Sequence, residues 1–191
     1  FPGAICASLN EEVVHGIPSE KTVLKAGDIL SIDFGVRLNG YCGDAAVTVP
    51  VGGISEANRQ LIDVTREVLD VAIAMARPGI RWSQIAGRMQ DHAETRGFSV
   101  VRDFVGHGIG SRMHEDPKVP NFVSDELLAD DILLSEGMVI AVEPMINAGG
   151  YAVRTLGNGW TVVTKDGKCS AHFEHTIAIV KGGCEVLTRE R

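Results

Sequence analysis

Short runs of apolar and β-branched residues dominate positions 13–50 and predict strands there. The runs are VVHGIP, ILSIDFGV and YCGDAAVTVP, and Gly or Pro separates them. Asn39-Gly40 lies between the last two runs, and this dipeptide is typical of a two-residue turn between antiparallel strands. The opening stretch therefore predicts a β-hairpin.

Helical periodicity follows the hairpin. Ser55 can cap a helix whose apolar positions recur at a 3.6-residue spacing until Pro78-Gly79 stops it. A second helix is predicted from about Ser83 to Arg96, with Gly97 ending it.

Strand-like runs then return as SVVRDFVGHGIG, MVIAVEPMI, WTVVT and HFEHTIAIV. The stretch 111–136 contains several Pro and Asp residues, and we expect it to be irregular. Strands, two helices and further strands, with no flexible linker between them, predict an α+β fold.

Two phrases recur along the chain. His15-Gly16-Ile17-Pro18 is similar to His107-Gly108-Ile109-Gly110, and further on Gly27 and Gly137 each precede an apolar strand that ends in an acid six residues later. Chance could produce two unrelated strands after glycine turns. If the repeat is real, two half-domains face each other across a pseudo-twofold axis and their carboxylates converge.

Four acids occupy strand-like runs in which apolar residues are expected. They are Asp33, Asp44, Glu143 and Glu174. Each acid alone is readily explained as solvated or salt-bridged, but a buried ionised carboxylate costs several kcal/mol unless it is paired or binds a metal. The chain has no matching set of Lys or Arg in apolar surroundings, and divalent cations would neutralise the four charges.

His107, between two glycines, adds a nitrogen ligand to this oxygen-rich set. Its spacing from the other histidines is not that of a zinc finger or of an H-E-x-x-H helix. Carboxylates with a single imidazole suit a pair of Mn, Fe, Co or Zn ions better than a structural tetrahedral zinc.

Composition narrows the class of protein further. The net charge is −7, and no basic run indicates a nucleic-acid surface. No apolar stretch reaches the length of a membrane helix, so we expect no membrane partner. The four cysteines form no C-x-x-C pair, which favours a reducing cytoplasm.

The chain begins with Phe-Pro-Gly and no initiator Met, so we expect an upstream part to be missing.

Taken together, the motifs resemble those of type I methionine aminopeptidases, which have the pita-bread (creatinase/aminopeptidase) fold. The resemblance covers nearly all of residues 1–191. It rests on these segments: Cys6-Ala7-Ser8-Leu9-Asn10-Glu11, His15-Gly16-Ile17-Pro18, Asp33, Gly43-Asp44, Gly106-His107-Gly108-Ile109-Gly110, His114-Glu115, Glu143-Pro144-Met145, Trp160-Thr161 and Glu174-His175-Thr176.

The resemblance implies a site with two divalent metal ions, of Co, Mn, Fe, Zn or Ni. The implied ligands are Asp33, Asp44, His107, Glu143 and Glu174, with Asp44 and Glu174 bridging the ions. It also implies three catalytic residues: Glu143 as proton acceptor, His114 beside the oxyanion, and His15 near the scissile amide. Both histidines would also contact the substrate.

For the methionine pocket, the resemblance points to Phe1, Cys6, Met113 and Trp160. Met113 is a departure, because the family pattern leads us to expect an aromatic residue before His114. A thioether keeps the pocket apolar and changes its shape.

The implied activity is removal of the initiator methionine from nascent proteins and peptides, preferring a small second residue. The chain is then a single catalytic domain over residues 1–191 whose first half lacks its upstream part. We expect a cytoplasmic monomer whose partner is the N-terminus of a polypeptide that begins with Met, with the ribosome as a further partner.

Two other functions stay open from the sequence. A proline-directed aminopeptidase or dipeptidase of the same fold would share the metal ligands, although the motifs around Cys6 and His15 favour methionine. A non-catalytic relative that binds peptide or RNA would normally have lost metal ligands.

It also stays open whether His172, on the same strand face as Glu174 by alternation, reaches the site, whereas His175 points the other way.

Overall fold

The computed structural model describes residues 1–189. Within that range the strands are β1 (Cys6–Leu9), β2 (Glu12–Val14), β3 (Ile29–Leu38), β4 (Tyr41–Pro50), β5 (Ser99–Val100), β6 (Gly106–Gly108), β7 (Glu115–Val119), β8 (Val139–Val142), β9 (Met145–Asn147), β10 (Val153–Thr155), β11 (Val162–Thr164), β12 (Ser170–His172), β13 (Glu174–Val180) and β14 (Gly183–Val186). The helices are α1 (Glu56–Met75), α2 (Trp82–Glu94) and α3 (Asp125–Ala129). No helix among these residues has the length and apolar character needed to cross a membrane.

The principal sheet joins the two ends of the chain. Its strand order is β1-β3-β4-β13-β8-β6-β7, with β14 also paired to β13. This order is palindromic about the β4–β13 pair, because β3 and β8 occupy equivalent places and so do β1 and β6. The Gly27–Asp33 and Gly137–Glu143 segments therefore lie on related strands, as the sequence repeat predicts. The two His-Gly-Ile phrases do not, since His107 lies in β6 whereas His15 follows β2 in a loop.

The predicted hairpin and helices are confirmed. Asn39 and Gly40 connect β3 to β4 with φ angles of 49° and 89°, the left-handed values that a two-residue hairpin turn requires. The Ser55 side chain accepts a hydrogen bond from the Asn58 amide at 3.1 Å and caps α1. The second helix begins at Trp82, one residue earlier than expected, and ends before Gly97.

The two long helices pack together against strands of the principal sheet and of the β12-β9-β5 sheet. Leu61 and Val68 of α1 and Ile85 of α2 are fully buried in a cluster that includes Ile140 of β8 and Ile177 of β13. Burial of each such side chain contributes about 1.5–3 kcal/mol. The apolar cluster therefore holds β8 and β13 in place beneath the acids that these strands carry.

The stretch 111–136, expected to be irregular, contains β7 and the short helix α3. The expectation is wrong at both places, because β7 obtains its hydrogen bonds from β6 and α3 is capped by the Ser124 side chain. Neither element has the apolar periodicity that would reveal it in the sequence. Two strand runs are also shorter than expected, since β2 ends at Val14 and Trp160 precedes β11.

Candidate active site

The five residues implied as metal ligands come from five successive strands of the principal sheet. In the order of the sheet these are Asp33 on β3, Asp44 on β4, Glu174 on β13, Glu143 directly after β8, and His107 on β6. The fold therefore converts positions up to 141 residues apart in the chain into neighbours.

Three of these side chains meet closely. Asp44, His107 and Glu174 each offer one ligand atom, and these atoms all lie within 4.8 Å of one another. His107 Nε2 is 4.0 Å from Asp44 Oδ2 and 3.5 Å from Glu143 Oε1. The residues are well enclosed, with relative exposures of 9% for Asp44, 8% for His107 and 2% for Glu174.

Burial and mutual repulsion perturb the carboxyl groups together. Burial, and after it the charge of Asp44, raises the pKa of Asp33 to about 6. Burial, followed by the neighbouring acids, raises the pKa values of Glu143 and Glu174 well above their ordinary value. Within residues 1–189 the basic side chains that lie within 4.0 Å of these carboxylates are His107 and His172, and burial lowers the pKa of both imidazoles. The cluster thus concentrates negative charge that the protein does not itself neutralise.

The polar atoms of this cluster fit divalent cations. His107 Nδ1 donates to the Gly108 carbonyl at 2.9 Å, which leaves the Nε2 lone pair directed at the acids. In the described part of the chain, Asp44 Oδ1 and Glu174 Oε1 are buried and receive no hydrogen bond. Free carboxylate oxygens beside a neutral imidazole are the donor set that Mn, Fe, Co or Zn accepts.

Glycines beside His107 allow its strand to lie deep in the sheet. A side chain on Gly106 would collide with the Ala141 carbonyl of β8, and one on Gly108 would collide with the backbone of Asp116. The absence of side chains at these two positions therefore permits a close approach of the strands, which brings the imidazole next to the acids of β4 and β13.

Two threonine hydroxyls connect β4 to the segment 172–176, which spans the end of β12 and the start of β13. Thr176 Oγ accepts from the Asp44 amide at 2.9 Å and donates to the Asp44 carbonyl at 2.8 Å. Thr48 Oγ makes the same pair of bonds, both at 2.8 Å, with the backbone of His172. These bonds fix the position of the Asp44 backbone relative to Glu174, because Glu174 lies between His172 and Thr176 in the chain.

The two histidines outside the acid cluster line the approach to it. The His114 ring lies 4.4 Å from the His107 ring, between centroids. His15 has a left-handed φ of 58° and contacts Phe104 and Trp160 with centroid distances of 5.7 and 6.5 Å. Burial, and after it the charge of His114, lowers the pKa of His15. Both imidazoles are therefore placed between the acids and the aromatic residues.

The residues expected in the methionine pocket surround this approach. The Phe1 ring meets Trp160 edge to face at 5.5 Å, and Trp160 is 41% exposed. Cys6 pairs with Asp33 in the β1–β3 register, and burial, followed by the charge of Asp33, raises its thiol pKa to about 12. Met113 packs its thioether on the backbone of Gly35, beside the Asp44 carboxylate. An apolar, uncharged rim therefore borders the acid cluster.

Hydrogen bonds to Glu115 hold the loop that carries Met113 and His114. The Glu115 carboxylate accepts from the Arg112 amide at 2.8 Å and from Ser111 Oγ at 3.2 Å. The Cys42 amide of β4 donates to the Gly110 carbonyl at 2.7 Å and ties the loop to the sheet. Glu115 thereby closes a turn around the two preceding residues.

Sequence reasoning did not single out Phe104 or Thr48 as parts of the site, and it quoted Glu115 and Thr176 only as parts of motifs. Thr176 could have been found by alternation, because it lies two residues after Glu174 and so shares its strand face. Phe104 offered only its closeness to the Gly-His-Gly phrase. Thr48 gave no signal, since a threonine in a strand is ordinary.

The chain matches known peptidases along nearly its whole length. The model of metallopeptidase family M24 matches residues 1–181. Methionine aminopeptidase 1 of Bacillus subtilis is 52% identical over 189 residues, which are 99% of this chain and 75% of the relative. The methionine aminopeptidase of Clostridium acetobutylicum is 50% identical over 188 residues, covering 98% of this chain and 74% of the relative.

Solved structures give the same result. The methionine aminopeptidase of Thermotoga maritima superposes with a TM-score of 0.93 at 48% identity, covering 97% of this chain and 74% of that one. Prolidase from Pyrococcus furiosus superposes with a TM-score of 0.77 at 23% identity, covering 99% of this chain and 50% of that one, and this likeness shows the shared pita-bread fold alone. The chain belongs to metallopeptidase family M24 and, within it, to the methionine aminopeptidases.

Proposed function

We propose that this protein removes the N-terminal methionine from nascent proteins and peptides whose second residue is small. The observation that carries the proposal is the convergence of four carboxylates and a neutral imidazole from five strands, bordered by an apolar rim. The high identity to methionine aminopeptidases supports this substrate over a proline-directed one, because prolidases share the fold at much lower identity.

In this proposal Asp33, Asp44, His107, Glu143 and Glu174 would hold two divalent ions. Bound ions of this kind polarise a carbonyl group and lower the pKa of water, so that hydroxide is available near neutral pH. The raised pKa values of the acids agree with such a site, because two divalent charges would offset the repulsion among four carboxylates.

The chain's own groups then divide the work of hydrolysis. A carboxylate oxygen of Glu143 accepts a proton from the attacking water, whose oxygen bonds to the scissile carbonyl carbon. His114 donates a hydrogen bond to the resulting oxyanion. As the carbon–nitrogen bond breaks, the proton passes from Glu143 to the leaving nitrogen, which His15 orients.

The rim residues supply selectivity for methionine. Phe1, Cys6, Met113 and Trp160 present aromatic rings, a neutral thiol and a thioether, and such groups pack well against a thioether side chain. The partner is therefore the N-terminus of a polypeptide that begins with Met. We further propose that a monomer acts in the cytoplasm, as one catalytic domain over residues 1–191, with the ribosome as an additional partner.

The test combines metal analysis with peptide cleavage. Protein loaded with Co²⁺ or Mn²⁺ should release Met from Met-Ala-Ser and leave an X-Pro peptide intact. Asp44→Ala and Glu174→Ala should each abolish release and reduce the bound metal, because each removes a carboxylate from the group of closest ligand atoms. Preferential cleavage of the X-Pro peptide would favour the prolidase alternative, and wild-type protein that binds no divalent ion would refute the catalytic proposal.

A further inference from the structure

The deepest histidine of the site has no assigned part in the proposed reaction. His172, at the end of β12, is 1% exposed, and within residues 1–189 its Nε2 atom has no hydrogen-bond partner. A buried polar atom without a partner costs free energy, so the fold retains this imidazole at the expense of stability. An apolar side chain would fill the same space more favourably.

The backbone of His172 is fixed on both sides. Thr48 Oγ bonds its amide and its carbonyl, and Ser31 Oγ bonds Thr48 Oγ at 2.8 Å. On the other side, β12 pairs with β9 and places His172 opposite Met145. The ring therefore has a defined direction, and that direction is toward Glu143.

Glu143 lies between two imidazoles. Its Oε1 atom is 3.5 Å from His107 Nε2, and its Oε2 atom is 3.7 Å from His172 Nε2. Its backbone is also held, since Asn121 Nδ2 donates to the Glu143 carbonyl at 3.2 Å. A movement of Oε2 by about 0.8 Å would give a normal N–H···O distance to His172. The side chain of Glu143 is thus the movable part of an otherwise fixed arrangement.

We propose that His172 is a positioning residue that donates from Nε2 to Glu143 Oε2 and so orients this carboxylate toward the metal ions. The inference rests on the proposed function and deepens it. Such outer hydrogen bonds fix the orientation of a metal-binding carboxylate and tune its basicity. His172 is not among the proposed ligands, and the proposed ligand that its Nε2 atom faces is Glu143, at 3.7 Å.

Three substitutions separate this role from simple packing. His172→Leu introduces an apolar side chain of similar length that has no hydrogen-bond donor. His172→Gln keeps an N–H donor at comparable reach, and His172→Asn has the same amide one methylene nearer the backbone. The matched control is His175→Leu, because the neighbouring imidazole bonds Thr188 Oγ at 2.9 Å, away from the site.

The main readouts are the Co²⁺ affinity of the metal-free proteins, measured by calorimetry, and the visible absorption spectrum of the Co²⁺-loaded forms. We expect His172→Leu and His172→Asn to weaken Co²⁺ binding about 10- to 100-fold and to alter the spectrum. His172→Gln should restore most of the affinity and the wild-type spectrum, and His175→Leu should leave both unchanged. With Met-Ala-Ser, the loss should appear in kcat rather than in KM, because His172 acts through Glu143.

Two results would overturn the inference while leaving the proposed function intact. One is a His172→Leu protein with wild-type affinity and spectrum. The other is a His172→Gln protein as impaired as His172→Leu, which would mean that the imidazole itself binds the ion. Should the Leu variant fail to fold, the comparison of Gln with Asn decides in the same way. A wild-type protein without Co²⁺ affinity would instead refute the proposed function.

Discussion

Replacing one of the proposed metal ligands should stabilise the metal-free protein, and Asp33 offers the measurable case. Its pKa is raised from 3.8 to about 6, first by burial and then by the charge of Asp44. A carboxyl group whose pKa is higher in the folded than in the unfolded protein stabilises the fold while it is protonated. This stabilisation is complete below the unfolded pKa and is lost as the pH rises through the folded pKa. At pH 7.5 the ionised Asp33 therefore destabilises the fold by about 2–3 kcal/mol, at 1.36 kcal/mol per pKa unit.

Asp33→Asn removes this charge at nearly constant volume and keeps an oxygen that can accept from the Cys6 thiol. In the presence of a chelator at pH 7.5, we expect the variant to be more stable than the wild type by up to about 3 kcal/mol. The gain should shrink toward zero near pH 4, because the wild-type carboxyl is then protonated in the folded protein. Urea unfolding followed by circular dichroism at several pH values measures both effects.

Saturating metal should reverse the order of stabilities. A ligand at 1,000 times its Kd stabilises the folded state by about 4.1 kcal/mol, which exceeds the advantage of the metal-free variant, and Asp33→Asn should lose most of this gain. Glu185→Gln is the matched control, since Glu185 is exposed on β14, and it should change stability by less than about 0.5 kcal/mol. A metal-free Asp33→Asn protein less stable than the wild type at pH 7.5 would refute the electrostatic reasoning.

Three further substitutions test how the site is held and what it recognises. Thr176→Val removes one hydroxyl and should weaken Mn²⁺ binding about tenfold, with Thr176→Ser restoring it. Thr65→Val, which deletes a buried hydroxyl in α1, should leave the calorimetric affinity unchanged, and an equal loss in both would argue for general destabilisation. Glu115→Ala should lower kcat for Met-Ala-Ser at unchanged metal content, with Glu115→Gln retaining most activity; wild-type kinetics in the Ala variant would show that the loop needs no such support. Trp160→Ala should raise KM with little change in bound metal, whereas parallel losses in both would identify Trp160 as structural.

The predictable parts of the fold carry local signals. Asn39-Gly40 specifies its turn by left-handed geometry, and Ser55 and Pro78-Gly79 delimit α1 by capping and by the absence of a proline donor. The three-residue strands and β7 carry no comparable signal, because their hydrogen bonds come from partners distant in the chain. The sequence alone offers no period over so few residues.

For the site, acids in apolar runs pointed to buried charge before any resemblance was considered. Glu143 and Glu174 were identifiable because apolar residues flank both. The roles of individual ligands came only from the resemblance and stay predictions. The hydrogen bonds between the Thr48 hydroxyl and the His172 backbone could not be inferred, because they depend on how β4 and β12, which belong to different sheets, pack together.

The proposed metal ligands and the groups proposed to touch substrate are held in place by different parts of the structure. Four of the five proposed ligands lie on strands of the principal sheet and Glu143 directly follows one, so ladder hydrogen bonds and the hydroxyl of Thr176 set their spacing. Apart from Cys6 on β1, the groups proposed to touch substrate, including His15 and Met113, lie on loops held by a few local contacts. A loop residue can therefore change the pocket without disturbing the metal geometry, whereas a change in strand register would move several ligands together. This explains why a methionine in place of the expected aromatic residue at position 113 is compatible with an intact ligand set.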